Sequence, residues 1–210
     1  MKKAKIQSKA AAAIPKLKVK AKLKAQVKSK AKATMQDAAN DIIALILADH
    51  KPLKRLIKIL KDTEASVSSR RSAMSEFGPL LTVHAQAEEK ALYKYMEKKD
   101  ELREESFEGE VEHNLADLML KAVLEERNQD KWSAKAKVLA ELVEHHVEEE
   151  EKEMLPEFKA ETSEETRRVI GEKYLGLKKH LMPADANQSE NESDDEDLES
   201  TEAKSIYPSH

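Results

Sequence analysis

Residues 146–156 read His-Val-Glu-Glu-Glu-Glu-Lys-Glu-Met-Leu-Pro, and residues 84–93 read His-Ala-Gln-Ala-Glu-Glu-Lys-Ala-Leu-Tyr. Both stretches contain His-x-x-x-Glu-Glu, with apolar residues three and four positions after the second glutamate. On an α-helix, residues four apart lie on the same face, so each copy presents an imidazole nitrogen and a carboxylate to one point. Each copy is therefore half of a metal site.

A single histidine precedes each copy at nearly the same distance. His50 lies 34 residues before His84, and His113 lies 33 residues before His146. Two helical hairpins of this kind can bring four histidines and two glutamates together in one core. A Glu-rich chain produces one such pair by chance, but the matched spacing of the whole set favours a metal site. The candidate ligands are His50, His84, Glu88, His113, His146 and Glu150.

The residue types also indicate which metal such a site would hold. One buried histidine or one helical glutamate alone is more typical of an ordinary core or surface residue. Six of them buried face to face without a cation would carry a large desolvation cost, which a divalent metal removes. Nitrogen and oxygen donors suit iron or manganese better than structural zinc. The absence of cysteine excludes thiolate sites, iron–sulfur clusters and disulfides.

The composition favours an all-α fold with one domain and two extensions. Aromatic residues make up 4% of the 210 residues and charged residues 37%, and there are only 4 glycines. No apolar run approaches the roughly 18 to 20 residues that span a bilayer, and the N-terminal stretch lacks the uninterrupted apolar core of a secretory signal. A cytoplasmic protein is therefore expected.

Charge divides the chain into three parts. Residues 1–36 contain 12 lysines and no acid, whereas residues 185–202 contain nine acids and no base. The pattern predicts a disordered basic arm over residues 1–36, a helical bundle over residues 37–182 and an acidic disordered tail over residues 183–210. Such an arm could bind nucleic acid or an anionic membrane surface. It could also direct the protein to an organelle, although its lack of arginine argues against this. As a further alternative, it is a solubilising tail that folds back on the acidic tail.

Apolar residues recur at three-and-four spacing in five segments, which predicts four long helices and a short fifth one. The first segment carries His50 on its apolar stripe, and Pro52 is expected to kink it. The second carries His84. Gly78 and Pro79 interrupt this segment, so either the helix kinks there or a new helix starts.

The third segment places His113, Leu120 and Leu124 on one face, together with Asp117 or Ala116. Asp117 lies one turn beyond His113, and its carboxylate is expected to look toward the same interior.

The fourth helix is predicted over about residues 131–158. Its apolar stripe leads to His146, whereas the stripe through the neighbouring His145 lacks apolar support, so His146 is expected to point inward. A capping box at residues 162–165 opens the short fifth helix, which ends before Pro183.

These motifs resemble those of the hemerythrin-like (HHE cation-binding) domain family over about residues 38–160. The stretches that carry the resemblance are Asp49-His50, His84-x-x-x-Glu88-Glu89, Glu112-His113 and His146-Val147-x-x-Glu150-Glu151. The resemblance implies an up-down-up-down four-helix bundle that holds two iron ions in an oxo- or hydroxo-bridged di-iron centre. It further implies that Glu88 and Glu150 bridge the two irons, and that the terminal ligands are His50, His84, His113 and His146.

Oxygen-carrying members of that family have a further histidine one turn after the third-helix histidine, where this chain has Asp117. Either Asp117 ligates in its place, or one iron keeps an open or water-filled position. The first hypothesis is a non-catalytic di-iron protein that binds or senses dioxygen, nitric oxide or iron itself. One alternative is an enzyme acting on peroxide, nitric oxide or ferrous iron. The other is a metal-stabilised scaffold whose basic arm binds nucleic acid.

Overall fold

The computed structural model describes residues 40–182, which form helices and no strands. This confirms the predicted all-α class. The long helices are α1 (Ile42–Lys61), α2 (Val67–Glu88), α3 (Arg103–Glu125), α4 (Gln129–Glu149) and α5 (Glu164–Leu181). The fifth helix was predicted to be short, but it spans 18 residues. The predictions for the basic arm and for the acidic tail lie outside the described residues. No helix between residues 40 and 182 is long and apolar enough to cross a membrane.

Two of these helices change their winding beside the repeated motif. α2 passes into a π-helical turn at Glu89–Tyr93 and then into the short helix Lys94–Met96. α4 passes into a second π-helical turn at Glu150–Met154 and then into Leu155–Glu161. An extra residue in a turn rotates the following helix face by about 100°. The side chains after each Glu-Glu pair therefore face differently from those of a regular helix.

The helices begin where short polar side chains can cap them. Asp41 accepts a hydrogen bond from the Ile43 amide at 2.9 Å, and Ser66 and Ser163 accept from amides three residues ahead at 3.1 Å. Asn128 caps α4 through two amides. Each cap satisfies backbone donors that the first turn leaves free, which explains the sharp start of these helices.

The interior consists of two apolar clusters separated along the helices by the candidate metal ligands. One cluster is centred on Leu53, Phe77, Leu139 and neighbouring residues of α1 to α4. The other joins the start of α1 to both π-helical turns and to α5, and it includes Ile46 and Phe158. The histidines and glutamates of the motif thus lie between two layers of buried hydrocarbon.

Both internal prolines are accommodated inside continuous helices. Pro52 lies within α1 and Pro79 within α2, so the alternative that a new helix starts at Gly78 is wrong. Gly78 is buried, and a Cβ atom there would lie 3.3 Å from a methyl carbon of Leu120. The glycine therefore gives α2 room to pack closely on α3.

α5 lies against α1 and α2 and is tied to the start of α1. Arg167 donates a hydrogen bond from Nε to Oδ2 of Asp41 at 2.8 Å. A Cβ atom on Gly171 would overlap the carbonyl oxygen of Asn40 and lie 2.9 Å from its carbonyl carbon, whereas Gly176 has no neighbour within 4 Å. Gly171 is therefore needed for the close approach of α5 to the bundle.

We expect Gly171→Ala to destabilise the protein by about 1–3 kcal/mol, since backbone must move to accept the methyl group. Gly176→Ala on the same helix is the matched control and should be neutral or stabilising by up to about 1 kcal/mol. Urea unfolding of both variants measures the difference. Equal stability of the two variants would contradict the close packing of α5.

Candidate metal centre

The structure brings all six predicted ligands into one buried cluster, and none is more than 5% exposed. They come from four helices and from the π-helical turn after α4. The contributions are His50 from α1, His84 and Glu88 from α2, His113 from α3, His146 from α4 and Glu150 from the π-helical turn.

The cluster divides into two groups that share a carboxylate. Ligand atoms of Glu88, His113, His146 and Glu150 lie within 4.8 Å of one another, and so do those of His50, His84 and Glu150. The two oxygens of Glu150 face different groups, with Oε2 3.1 Å from His50 Nε2 and Oε1 3.4 Å from His146 Nε2. Glu88 Oε2 lies 3.3 Å from His84 Nε2 and 3.9 Å from His113 Nε2. Both carboxylates therefore stand between a His50–His84 pair and a His113–His146 pair.

Every histidine of the cluster has an outer hydrogen-bond acceptor at Nδ1. Glu151 lies 3.0 Å from His50, Glu89 lies 3.1 Å from His113, and Glu112 lies 2.6 Å from His146. The fourth acceptor, the Tyr174 hydroxyl, lies 3.1 Å from His84. Such outer partners orient imidazole rings at metal sites and set their tautomer.

These contacts determine where the imidazole protons are. An ionised carboxylate can only accept, so Nδ1 of His50, His113 and His146 must donate. Tyr174 donates its own proton to Asp49 Oδ2 at 2.6 Å, so its oxygen accepts from His84. In the neutral rings every Nε2 therefore carries a lone pair, and all four lone pairs point into the cluster. Binding of a metal through Nε2 requires this tautomer.

The outer partners follow the same duplication as the ligands. The second glutamate of each Glu-Glu pair binds the lone histidine of the other half, as Glu89 does with His113 and Glu151 with His50. The acid before each lone histidine faces the motif histidine of its own half, and Glu112 binds His146 directly. Asp49 is one methylene shorter and lies 3.8 Å from His84 Nδ1, too far for a direct hydrogen bond. Tyr174 of α5 spans this gap.

The unpartnered atoms of the cluster and the distances between them fit metal ions. Five buried polar atoms of the cluster have no hydrogen-bond partner: Nε2 of His50 and His84, both carboxylate oxygens of Glu88, and Oε2 of Glu150. Nε2 of His113 faces Nε2 of His146 at 2.9 Å, so two lone pairs meet unless a proton or a cation lies between them. Two nitrogens bound at right angles to one metal, each at about 2.1 Å, would be about 3 Å apart. The donor set therefore suits divalent cations.

The two buried carboxylates, Glu88 and Glu150, have pKa values that are shifted in opposite directions. Burial, followed by the charge of Glu150, raises the pKa of Glu88 well above its usual range. Burial acts in the same direction on Glu150, but the facing His146 and His50 outweigh it and hold the pKa of Glu150 well below its usual range. Without metal, Glu88 is therefore the carboxyl that keeps a proton. Metal binding would displace that proton.

Tyr93 belongs to the cluster and was missed by the sequence analysis. Its hydroxyl donates to Glu150 Oε1 at 3.0 Å, and its ring stacks on His113 with centroids 5.4 Å apart. A Cβ atom on Gly109 would overlap this hydroxyl. The duplicated positions in the other half hold Leu155 and Ile46, both buried and apolar. One half of the site thus has a hydroxyl where the other half has hydrocarbon.

The structure shows which side chains near the third- and fourth-helix histidines face the interior. Asp117 was expected to look toward the interior, but its side chain is half exposed and paired with Lys121 at 2.6 Å, and Ala116 takes the buried position. Leu124 is 65% exposed, so its placement in the interior was wrong. The register of α3 rotates both side chains outward. His145 is exposed and contacts Glu149, which confirms that His146 is the inward histidine.

Two cavities reach the His113–His146 pair. One of about 80 Å³ is lined by Tyr93, Gly109, His146 and Glu150, with further glutamates at its mouth. The other, of about 500 Å³, lies between α2 and α3 and touches His113. This pair is therefore within reach of molecules from outside.

Comparison with known proteins gives one match. The family model described as hemerythrin HHE cation binding domain matches residues 41–158, more than half of the chain. No curated protein and no solved structure matches significantly.

Burial lowers the pKa of His84 to about 4, against an opposing contact with Asp49. In the metal-free protein, unfolding therefore takes up a proton between pH 6.5 and 4, and stability falls as the pH drops through that window. We expect the advantage of wild type over His84→Gln to shrink by up to about 3 kcal/mol across it. Urea unfolding of chelator-treated protein at several pH values measures this. Parallel pH profiles would show that His84 is not held neutral.

Proposed function

The chain belongs to the family of hemerythrin HHE cation binding domains, and we propose that it binds two iron ions in a carboxylate-bridged centre and binds or senses a small ligand there. The observation that carries the proposal is the convergence of four Nε2 lone pairs and two buried carboxylates. Of the four carboxylate oxygens, only Oε1 of Glu150 has a hydrogen-bond partner, the Tyr93 hydroxyl. The short connections between α1 and α4 support an up-down-up-down bundle.

In the proposed centre the two histidine pairs bind different irons. His113 and His146 would hold one iron and His50 and His84 the other, and Glu88 and Glu150 would each serve both irons. Nitrogen and oxygen donors of this kind suit iron, and the chain offers no thiolate. When bound, the iron pair supplies electrons and a binding position for dioxygen or nitric oxide.

The residues around the irons have separate tasks in this proposal. The outer acceptors hold each ring with Nε2 inward, and the two apolar clusters limit water on both sides. The small cavity beside Tyr93 has room for about two or three water-sized molecules, since water occupies about 30 Å³. A diatomic ligand therefore fits at the His113–His146 iron, with the Tyr93 hydroxyl in reach.

A second candidate is catalysis on peroxide, nitric oxide or ferrous iron, and Tyr93 favours it. Burial and the charges of Glu150 and Glu88 raise the pKa of Tyr93 well above its usual range, so the phenol keeps its proton beside the centre. A retained proton can be shared with a bound ligand. Sustained turnover of peroxide or nitric oxide by the iron-loaded protein would favour catalysis, and its absence would favour binding.

Anaerobic metal analysis, with an optical spectrum before and after air is admitted, tests the proposal. Two irons per chain and new absorption bands in air support a di-iron site that meets oxygen. A chain that binds no metal, or a single zinc, would overturn it.

We expect Glu88→Ala and Glu150→Ala to lose the two-iron centre, because each substitution removes a ligand from both metals. Glu153→Ala, at an exposed position of the same π-helical turn, is the control and should retain two irons. The adjacent histidines provide a second matched pair, in which His146→Ala loses iron and His145→Ala keeps it. Iron content after desalting is measured for all five variants. Two irons in both bridging variants would refute the assignment.

Tyr93→Phe removes the hydroxyl while leaving the ring in place. We expect azide, a small anionic probe, to bind the oxidised di-iron protein about tenfold more weakly in this variant, the usual loss for one hydrogen bond to a charged group. Tyr95→Phe is the control, since Tyr95 packs on Phe158 away from the cluster. Optical titration measures both. Unchanged azide affinity in Tyr93→Phe would place the ligand at the His50–His84 iron.

A further inference from the structure

The outward face of α3 carries an unusual row of exposed apolar side chains. Phe107, Val111, Leu115 and Leu118 are each 50–63% exposed. Their spacing of four, four and three residues places them on one helix face. Single exposed apolar residues are common, but a continuous row marks an interaction surface. We call these four residues the α3 stripe.

Acidic side chains border the α3 stripe. Glu104, Glu108, Glu110 and Glu125 lie along its sides and at its end, and none forms an ion pair with another residue in the part of the chain from 40 to 182. Elsewhere on the surface many glutamates are paired within the bundle, as Glu126 is with Lys135. The surface therefore combines apolar area with uncompensated negative charge.

That combination determines the kind of partner. A second copy of α3 would bring the same carboxylates against each other, and like charges across an interface are costly. A basic segment with apolar side chains between its lysines matches both features. Nucleic acid matches neither, since its phosphates repeat the charge of the stripe.

The chain itself contains such a segment. Residues 1–36 hold 12 lysines and no acid, and Leu17, Val19 and Leu23 stand between lysines. The acidic residues 185–202 could also attract the arm through their negative charge, but Leu198 is the only large apolar residue among them. Of these two candidates, the α3 stripe is the one that combines negative charge with a row of apolar side chains.

The geometry also allows the contact. The arm joins the bundle at α1, whose residues Ile42 and Ile46 share an apolar cluster with Leu102, the residue before α3. The arm therefore leaves the bundle at the end where α3 begins. An extended segment of this length reaches more than about 100 Å, whereas α3 is only about 35 Å long.

We propose that the basic arm, residues 1–36, docks in cis on the α3 stripe, with its lysines against the bordering glutamates and its leucines and valines on the apolar row. The docked arm covers an apolar surface and is withheld from other anionic partners. The contact does not depend on the metal centre.

Carbodiimide cross-linking of the full-length chain, followed by peptide mass spectrometry, tests the proposal. This reagent joins a lysine to a carboxylate only when the two are in contact. At micromolar protein and low salt we expect intramolecular links between arm lysines and the glutamates that border the stripe. These links should disappear at about 1 M salt, where charge attraction extends only about 3 Å.

The double variant Val111→Ser, Leu115→Ser separates docking from charge attraction alone. It keeps every carboxylate, so a loss of links of about fivefold shows that the apolar row takes part. Val169→Ser, at an exposed position of α5, is the matched control and should leave the links unchanged. Links mainly to the acidic tail, links between two chains, or equal links in the double variant and the control would each overturn the proposal.

Discussion

Four imidazole rings are held so that their Nδ1 protons face outward and their Nε2 lone pairs face one another, and the rest of the structure serves this arrangement. Each outward proton is bound by an acceptor from another helix or turn. The rings therefore cannot turn to relieve the crowding of lone pairs and carboxylates at the centre. Only protons or cations can relieve it. The buried cluster is thus arranged so that cations would stabilise it, and the contacts that orient its rings also join the helices to one another.

The duplication in the sequence becomes an approximate twofold relation in the site, and the departures from it are informative. Each half supplies a lone histidine, a His-x-x-x-Glu pair and two outer acids. Tyr174 compensates for the shorter Asp49, which makes α5 part of the support of His84. Tyr93 and Gly109 replace the apolar pair of the other half. The two halves of the cluster therefore have the same kind of donors but different neighbours.

The all-α class and the convergence of the six candidate ligands could be predicted, because spacing along an amphipathic helix determines which residues share a face. After a π-helical turn, the spacing of residues along the chain no longer tells which of them face the interior. Both π-helical turns begin within a Glu-Glu pair whose sequence is typical of a regular α-helix, so the sequence did not predict that Tyr93 points inward. The prediction that Asp117 faces the interior was wrong for a related reason. A residue four positions after His113 lies near the edge of the inward face, so a small rotation of the helix decides whether Asp117 or Ala116 is buried.

The candidate ligands and the residues of the two apolar clusters are different sets. Neither apolar cluster contains a candidate ligand, so their burial contributes fully with or without a cation. The cost of the centre is reduced by the proton on Glu88 and by the neutral state of His84. We therefore expect the fold to depend little on whether a cation is bound. The protein would differ in this from small metal-dependent domains, in which binding and folding are one event.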